Sequence, residues 1–312
     1  MQFTTRHLRP SVTRALSLSL ASCAVVLASA ATLSAQRGGA QRYDIHFHRP
    51  LAVGARARVE LTGSKQISME RVNGRNRESV RDETVQVRFV AVERVTAISA
   101  IGKATTLEYT IEAFEITRDG TRTTPLAVGT VLTLERSTQP GGDGHMRVNG
   151  RDVSEEVAEA LSIVLSRSAT DTTDDEVFGS QTPRRVGERW NVNATAAQQQ
   201  LAATGAPDMR LRGEVRATEL VTVDTLPCLT LTANIQGQLR GLPNLPPSAS
   251  FRSGTMQMNA TGAFPVDGST RPPTGTLSVV VDVNFSVSAQ GQTQNFHMVV
   301  REERSEHLTV LP

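Results

Sequence analysis

The chain has 312 residues, of which 38% are hydrophobic and only 4% aromatic, so any core is built from Val, Leu, Ile and Ala rather than from rings. Its 33 basic and 31 acidic residues nearly cancel, and removing residues 1–35 takes away three Arg and no acid, leaving 30 against 31 and a net charge of −1. A near-neutral chain excludes nucleic acid as the default partner. Lys occurs only at Lys65 and Lys103 beside 31 Arg, which reads as the codon usage of a GC-rich genome rather than phosphate recognition.

Arg6, Arg9 and Arg14 precede the first acid, Asp44. A weakly apolar stretch, Ala15 to Leu33, follows, interrupted by Ser17, Ser19, Ser22, Cys23 and Ser29. Ala28-Ser29-Ala30 offers the small residues a signal peptidase needs, and Ser34-Ala35-Gln36 is a second exit. Together these predict a secretory signal at 1–35 and an exported, periplasmic or envelope-associated chain. Two alternatives stand beside it. One is a retained anchor helix, although a span needs about 20 strongly apolar residues. The other is a lipid anchor at Cys23, whose Leu20-Ala21-Ser22-Cys23 fits a lipobox but is followed by apolar Ala24-Val25-Val26-Leu27. No later stretch approaches spanning length. Cys228 then remains the one thiol, too few for an internal disulfide. Its setting, Cys228-Leu229-Thr230-Leu231, is that of an inert core residue with no His near in sequence to activate it.

Residues 36–150 read as a first β half. Val85, Val87, Phe89 and Ala91 alternate with Gln86 and Arg88, and Leu107, Tyr109, Ile111 and Ala113 alternate with Thr106, Glu108, Thr110 and Glu112. Asn73-Gly74, Asp119-Gly120 and Asp267-Gly268 supply the positive φ of tight turns. Residues 151–182 form a helix and an acidic linker. Val153, Val157, Leu161, Val164 and Leu165 share one helical face, and Asp152 with Glu155 makes a capping box, which predicts a helix over 153–167. Ser168 to Glu176 has almost nothing to bury. Residues 183–312 read as a second β half, in one domain with 36–150 or separate from it. Its strands cover Val215–Val223, Leu229–Ile235 and Thr255–Phe264, with a Pro-rich loop at Gly241–Ser250. A closing hairpin turns at Ala289-Gln290-Gly291-Gln292; Phe296, Met298 and Val300 occupy one face of its return strand, and Asn295, His297 and Val299 the other.

The fold class is therefore mainly β: antiparallel meander sheets, as a curved half-barrel or a sandwich, with one central amphipathic helix. One helix about 10 Å across covers roughly two strands. At least seven strands carry an apolar face, so the remainder must meet another sheet, close on themselves, or face a ligand. Packing of sheet on sheet is the favoured expectation. A weak repeat, Pro50-Leu51-Ala52-Val53-Gly54, Pro125-Leu126-Ala127-Val128-Gly129 and Pro183-Arg184-Arg185-Val186-Gly187, precedes three strand-like runs. It reads as a recurrent lead-in from loop to strand, in which Val tucks under and Gly turns, or as the trace of a duplication.

Chemistry is sparsely marked. His46 and His48 share a strand face but lack a third and fourth ligand, and His145, His297 and His307 are scattered. Asp171, Asp174, Asp175 and Glu176 offer oxygens in no calcium-loop spacing, with Gly141-Gly142-Asp143-Gly144 a faint echo of calcium repeats. Trp190, the one tryptophan, is expected to plug the core where the second half begins, with ligand stacking as the lesser reading. There is no Gly-x-Ser-x-Gly, His-Glu-x-x-His or phosphate loop. No catalytic, cofactor or metal residue is assigned, no cofactor is expected, and the chain is read as a non-enzyme. For an enzyme, His46, His48, Asp174 and Asp175 would be the first to inspect.

The order Gly150 to Leu165, acidic spacer, Phe178-Gly179, then Pro183 to Trp190 resembles a group of exported β-rich bacterial proteins of unknown function. The resemblance covers the middle and end of the chain and implies no activity for any residue. A long meander with one helix is also similar, in architecture alone, to periplasmic lipoprotein-carrier half-barrels. The expected function is a non-enzymatic envelope protein with a binding or structural role. The alternative is a carrier of lipid or another apolar ligand, and a hydrolytic enzyme comes third. The expected partner is an apolar ligand or an envelope protein.

Overall fold

The computed structural model describes residues 41–312 apart from 138, 140, 141, 143, 168, 169, 204, 243, 244, 269 and 290. The predicted export segment 1–35 and Cys23 lie outside the described residues. The chain opens with long strands, β1 (Arg56–Asn73), β2 (Asn76–Ile98) and β3 (Ala104–Arg118). Shorter ones follow, β4 (Thr121–Thr123), β5 (Val131–Glu135), β6 (His145–Val148) and β7 (Arg151–Asp152). Helices α1 (Glu155–Val164) and α2 (Asp174–Phe178), strand β8 (Arg189–Asn191) and helix α3 (Ala194–Ala203) occupy the middle. A second run of long strands closes the chain: β9 (Met209–Val223), β10 (Leu226–Leu239), β11 (Ala249–Pro265), β12 (Thr274–Ala289) and β13 (Gln292–Leu311).

All thirteen strands belong to one open antiparallel sheet, ordered β7-β6-β5-β3-β2-β1-β13-β12-β11-β10-β9-β8, with β4 beside β3. The two halves meet where β1 pairs with β13, from Arg56 opposite Leu311 to Val72 opposite Asn295. The mainly β antiparallel meander is thus observed, but the second sheet expected to cover its apolar face is absent among the described residues. Helices and one extended segment do the covering instead. Both outer edges are very short, β7 at 2 residues and β8 at 3, which leaves little backbone open to unwanted pairing.

Two apolar clusters form on the same face. On β1 the odd-numbered side chains point inward: Ala57, Val59 and Leu61 join the first cluster, Ile67 and Met69 the second. α1 packs Ala160, Leu161 and Val164 onto the first, among Phe89, Leu107, Tyr109 and Leu132. The second lies under α2, α3 and the segment around Tyr43, Ile45 and Phe47. Gly63 falls between them, where a Cβ would stand 2.8 Å from Ile163 Cγ2 and 2.9 Å from Val164 Cγ1. Only glycine lets α1 sit this close to the sheet.

Several expectations needed correction. The first helix starts later, because Asp152 is drawn into β7 by the Asn149-Gly150 turn, whose φ values are +52° and +75°. Ser154 caps the helix, its hydroxyl accepting from Val157 N at 3.4 Å, and Leu165 ends it by turning extended. The acidic linker contains α2, capped by a reciprocal box between Thr173 and Glu176. α3, Ala-Thr-Ala-Ala-Gln-Gln-Gln-Leu-Ala-Ala, was not anticipated.

The repeated lead-in is a real structural unit. Each copy closes a turn, with Ala55 N to Ala52 O at 3.1 Å, Thr130 N to Ala127 O at 3.2 Å and Glu188 N to Arg185 O at 3.1 Å. Its glycine sits at φ +91°, +82° and +91° in turn, as the third residue of a type II turn requires. Each glycine N–H then bonds a neighbouring strand, at Val95, Ile111 or Ala217, and the same strand residue donates back to the residue after the glycine. The valines do not tuck under: Val53, Val128 and Val186 are 60%, 75% and 39% exposed.

Candidate functional site

The face opposite the two clusters is polar, and at the junction of the halves it is dished. Its cavity of about 610 Å3 spans β3, β2, β1, β13 and β12. The strand register lays its side chains in two rows. One runs Thr117, Gln86, Ser64, Glu303 and Ser278 across the five strands; the next runs Glu115, Arg88, Thr62, Ser305 and Thr276. Six of the ten carry hydroxyls, each able both to donate and to accept. Thr62 Oγ1 and Ser305 Oγ lie 2.5 Å apart across the β1–β13 seam. Glu115 is held at one end by Arg122 at 2.5 Å and by Arg88 at 3.8 Å. Such a surface can hold a hydrated, hydrogen-bonding ligand, with water bridging where contacts are long.

Behind the dish, a polar seam divides the two clusters. Lys65, 4% exposed, places Nζ 3.4 Å from Glu302 Oε1. Burial pushes the Glu302 carboxyl above the usual carboxylate range, and Lys65 opposes the shift. Away from that seam, among first-cluster residues, buried Glu93 meets Arg271 at 2.8 Å. Burial pushes the neighbouring Tyr109 hydroxyl well up, and the Glu93 charge adds to it.

The residues singled out from sequence have structural settings. His46 is exposed, and His48 Nε2 lies 2.7 Å from Ile101 O. Asp174 and Asp175 are each engaged elsewhere. Asp175 Oδ1 accepts Phe47 N at 2.5 Å, and Asp174 Oδ1 accepts Gln200 Nε2 at 2.8 Å. Lys103 Nζ donates to Thr172 O at 2.5 Å; burial lowers its pKa, with Asp174 working against the shift. The acidic stretch is therefore a clasp tying α2 to α3, the β2–β3 loop and the segment before β1. No group of three or more His, Cys, Asp or Glu among the described residues is placed to hold a metal.

His297 has both ring nitrogens engaged, Nε2 at 3.1 Å from Asp282 Oδ1 and Nδ1 at 3.3 Å from Arg77 Nη1, and His307 stands 3.7 Å from Asp224. His145 approaches Asp152 at 4.0 Å. Cys228 is fully buried with its thiol pKa raised by burial, the setting of an unreactive core residue. Trp190 is the expected plug: it is 8% exposed, donates Nε1–H to Phe178 O at 2.7 Å, and lies under the Arg184 guanidinium at 5.4 Å. The rows of the dish escaped sequence reading. Their signal was present as the polar alternates of each strand, but which alternates stand side by side depends on pairing across 240 residues.

No family model and no curated protein matches this chain. Among solved structures, lipovitellin, in a study of its lipid–protein interactions, matches with 7% identity and a TM-score of 0.36. That match covers 84% of this chain, which spans about a quarter, 26%, of the lipovitellin chain. A mutant porin of Rh. blastica matches with 7% identity and a TM-score of 0.20 over 78% of this chain and 99% of its own. MucB, in complex with MucA(peri), matches with 10% identity and a TM-score of 0.17 over 78% of this chain and 88% of its own. Among the described residues, no helix is long and apolar enough to cross a membrane.

Proposed function

We propose that this protein is an exported, non-enzymatic binding protein whose ligand lies across the dished polar face. The export reading rests on the basic start, apolar middle and small-residue exits of residues 1–35. The binding reading rests on one observation: ten polar side chains from five strands converge in two rows on a cavity of about 610 Å3. That volume falls within the range of small-molecule sites, roughly 300–1,000 Å3, and most of its lining residues carry hydroxyl, amide or charged groups, with Val87 and Leu277 among them. The matching ligand class is polyhydroxylated, a saccharide whose own hydroxyls donate and accept in the same way.

The test titrates residues 36–312 with maltohexaose, laminarihexaose and chitohexaose by calorimetry. One of the three binds, and Ser64→Trp or Thr276→Trp, each filling the dish, weakens it by about tenfold or more, 1.4 kcal/mol. Asn234→Trp, on the same face of β10 outside the dish, leaves affinity unchanged. Binding of none of the three, or binding indifferent to both dish substitutions, overturns the reading.

A further inference from the structure

The apolar cluster of the C-terminal half is covered in part by its own chain. Tyr43, Ile45 and Phe47 are buried at 9%, 5% and 7%, while Asp44 and His46 between them are exposed. This two-residue period is that of an extended strand, yet the segment is not a strand of the sheet. Among the described residues its one backbone bridge joins Tyr43 and Arg184, which exchange two bonds of 2.8 Å. Its other main-chain tether is Phe47 N to Asp175 Oδ1. Side chains hold the rest, with the Phe47 ring 4.8 Å from Phe264 and 5.6 Å from Phe178. The segment is a strap laid over a finished sheet, and its departure breaks no strand pairing.

The cluster it joins is adaptable. Met209, Met256, Met258 and Met298 are buried in this cluster and Met69 packs against it, five of the seven methionines in the chain. Methionine reshapes to fill irregular gaps, so a surface rich in it accepts different occupants. Phe264 lies over Gly262, where a Cβ would stand 2.7 Å from the ring edge atom Cε2. Three apolar side chains at two-residue spacing trace an extended track of about 13 Å at 3.3 Å per residue. At its end Arg49 donates Nη2–H to Pro265 O, while its buried Nε has no hydrogen-bond partner among the described residues. Asp175 and Asp267 supply the nearby negative charge.

The geometry points to residues 43–47 as an intramolecular occupant of an apolar site that, with the strap displaced, takes the chain of a free fatty acid along the same track, its carboxylate toward Arg49. This site is separate from the polar dish, so either can fail without the other. The strap closes it when no ligand is present, and the free energy of displacing three buried side chains sets the apparent affinity.

A reversible lock tests it. In a hydrogen-bonded antiparallel pair the Cα atoms stand about 5.5 Å apart, within disulfide reach. Tyr43→Cys with Arg184→Cys in residues 36–312 therefore staples the strap down when oxidised and frees it when reduced. The probe is cis-parinaric acid, read by fluorescence, with dodecanoate and phosphatidylcholine vesicles as competitors. The reduced form binds about tenfold or more tightly than the oxidised form. Displacement by dodecanoate alone is the expected result, and displacement by vesicles as well, which assigns the site to a membrane lipid, overturns it. Equal binding in both redox states, or displacement by neither competitor, overturns the proposal. If the double variant fails to fold, Tyr43→Ser with Phe47→Ser reads the same effect against wild type: a gain in probe binding with the β-type circular dichroism retained supports it, and no gain overturns it.

Discussion

Lys65 carries a charge into a place that a methyl group would fill more simply. It stands on the inward face of β1 between Leu61 and Ile67, with Glu302 opposite on β13. Removing one member of such a pair leaves the other buried without compensation, which costs about 3–5 kcal/mol. Replacing both with apolar residues of similar volume is often neutral or stabilising. Lys65→Met is therefore expected to destabilise by about 3 kcal/mol near pH 8, and Lys65→Met with Glu302→Met by far less. The loss in the single variant depends on pH. Burial already raises the folded-state pKa of Glu302, and without Lys65 it rises further. An acid raised in the folded state favours folding fully below its unfolded pKa and loses that contribution as pH climbs through the folded value. The gap between Lys65→Met and wild type should then widen from pH 4 to pH 8 in urea titrations. A gap that narrows over that window would mean Glu302 does not stay buried.

At the scale of elements, the three lead-in turns isolate one conformational demand. Gly54, Gly129 and Gly187 adopt φ of +82° to +91°, and nothing within 4 Å would meet a Cβ on any of them. Alanine there suffers backbone strain alone, about 1–2 kcal/mol. Gly129→Ala should lower stability by that amount, while Val128→Ser, at the 75% exposed tip, should change it by less than about 0.5 kcal/mol. Chemical denaturation measures both. The glycine in this pattern was legible in the sequence because only its backbone is needed, whereas the direction of the valine was not, since it is set by how the turn bonds its neighbouring strand. The same division runs through the fold. Long strands announce themselves by two-residue alternation, and α1 by its apolar stripe. α2 is too short to show a period, and α3, mostly Ala and Gln, has a weak stripe that packing against β9 makes sufficient. His46 and His48 drew notice as a pair, but the informative alternates were Tyr43, Ile45 and Phe47 between and beside them. The dish was least legible of all, because it exists only once β1 has paired with β13.

For the molecule as a whole, one hydrogen-bonded sheet carries two cores. β1 and β13 each contribute to both, and the charged pair of Lys65 and Glu302 lies where they divide. Continuous strand pairing couples the halves, while the apolar contacts that set local stability belong mainly to one side or the other. Proteins built this way open in units rather than all at once. Deleting residues 36–47 removes the strap from the second core and leaves α1, the first core and the His48 contact with the β2–β3 loop in place. Each of the three lost side chains, when fully buried, accounts for about 1.5–3 kcal/mol of hydrophobic stabilisation. Native-state hydrogen exchange should then show faster exchange at the amides of β9 to β12, where strand pairing persists but its cover is gone. The amides of β2 and β3, whose side chains build the first core, should keep their wild-type protection. Equal acceleration in both halves would mean that the seam transmits unfolding and that the two clusters behave as one core.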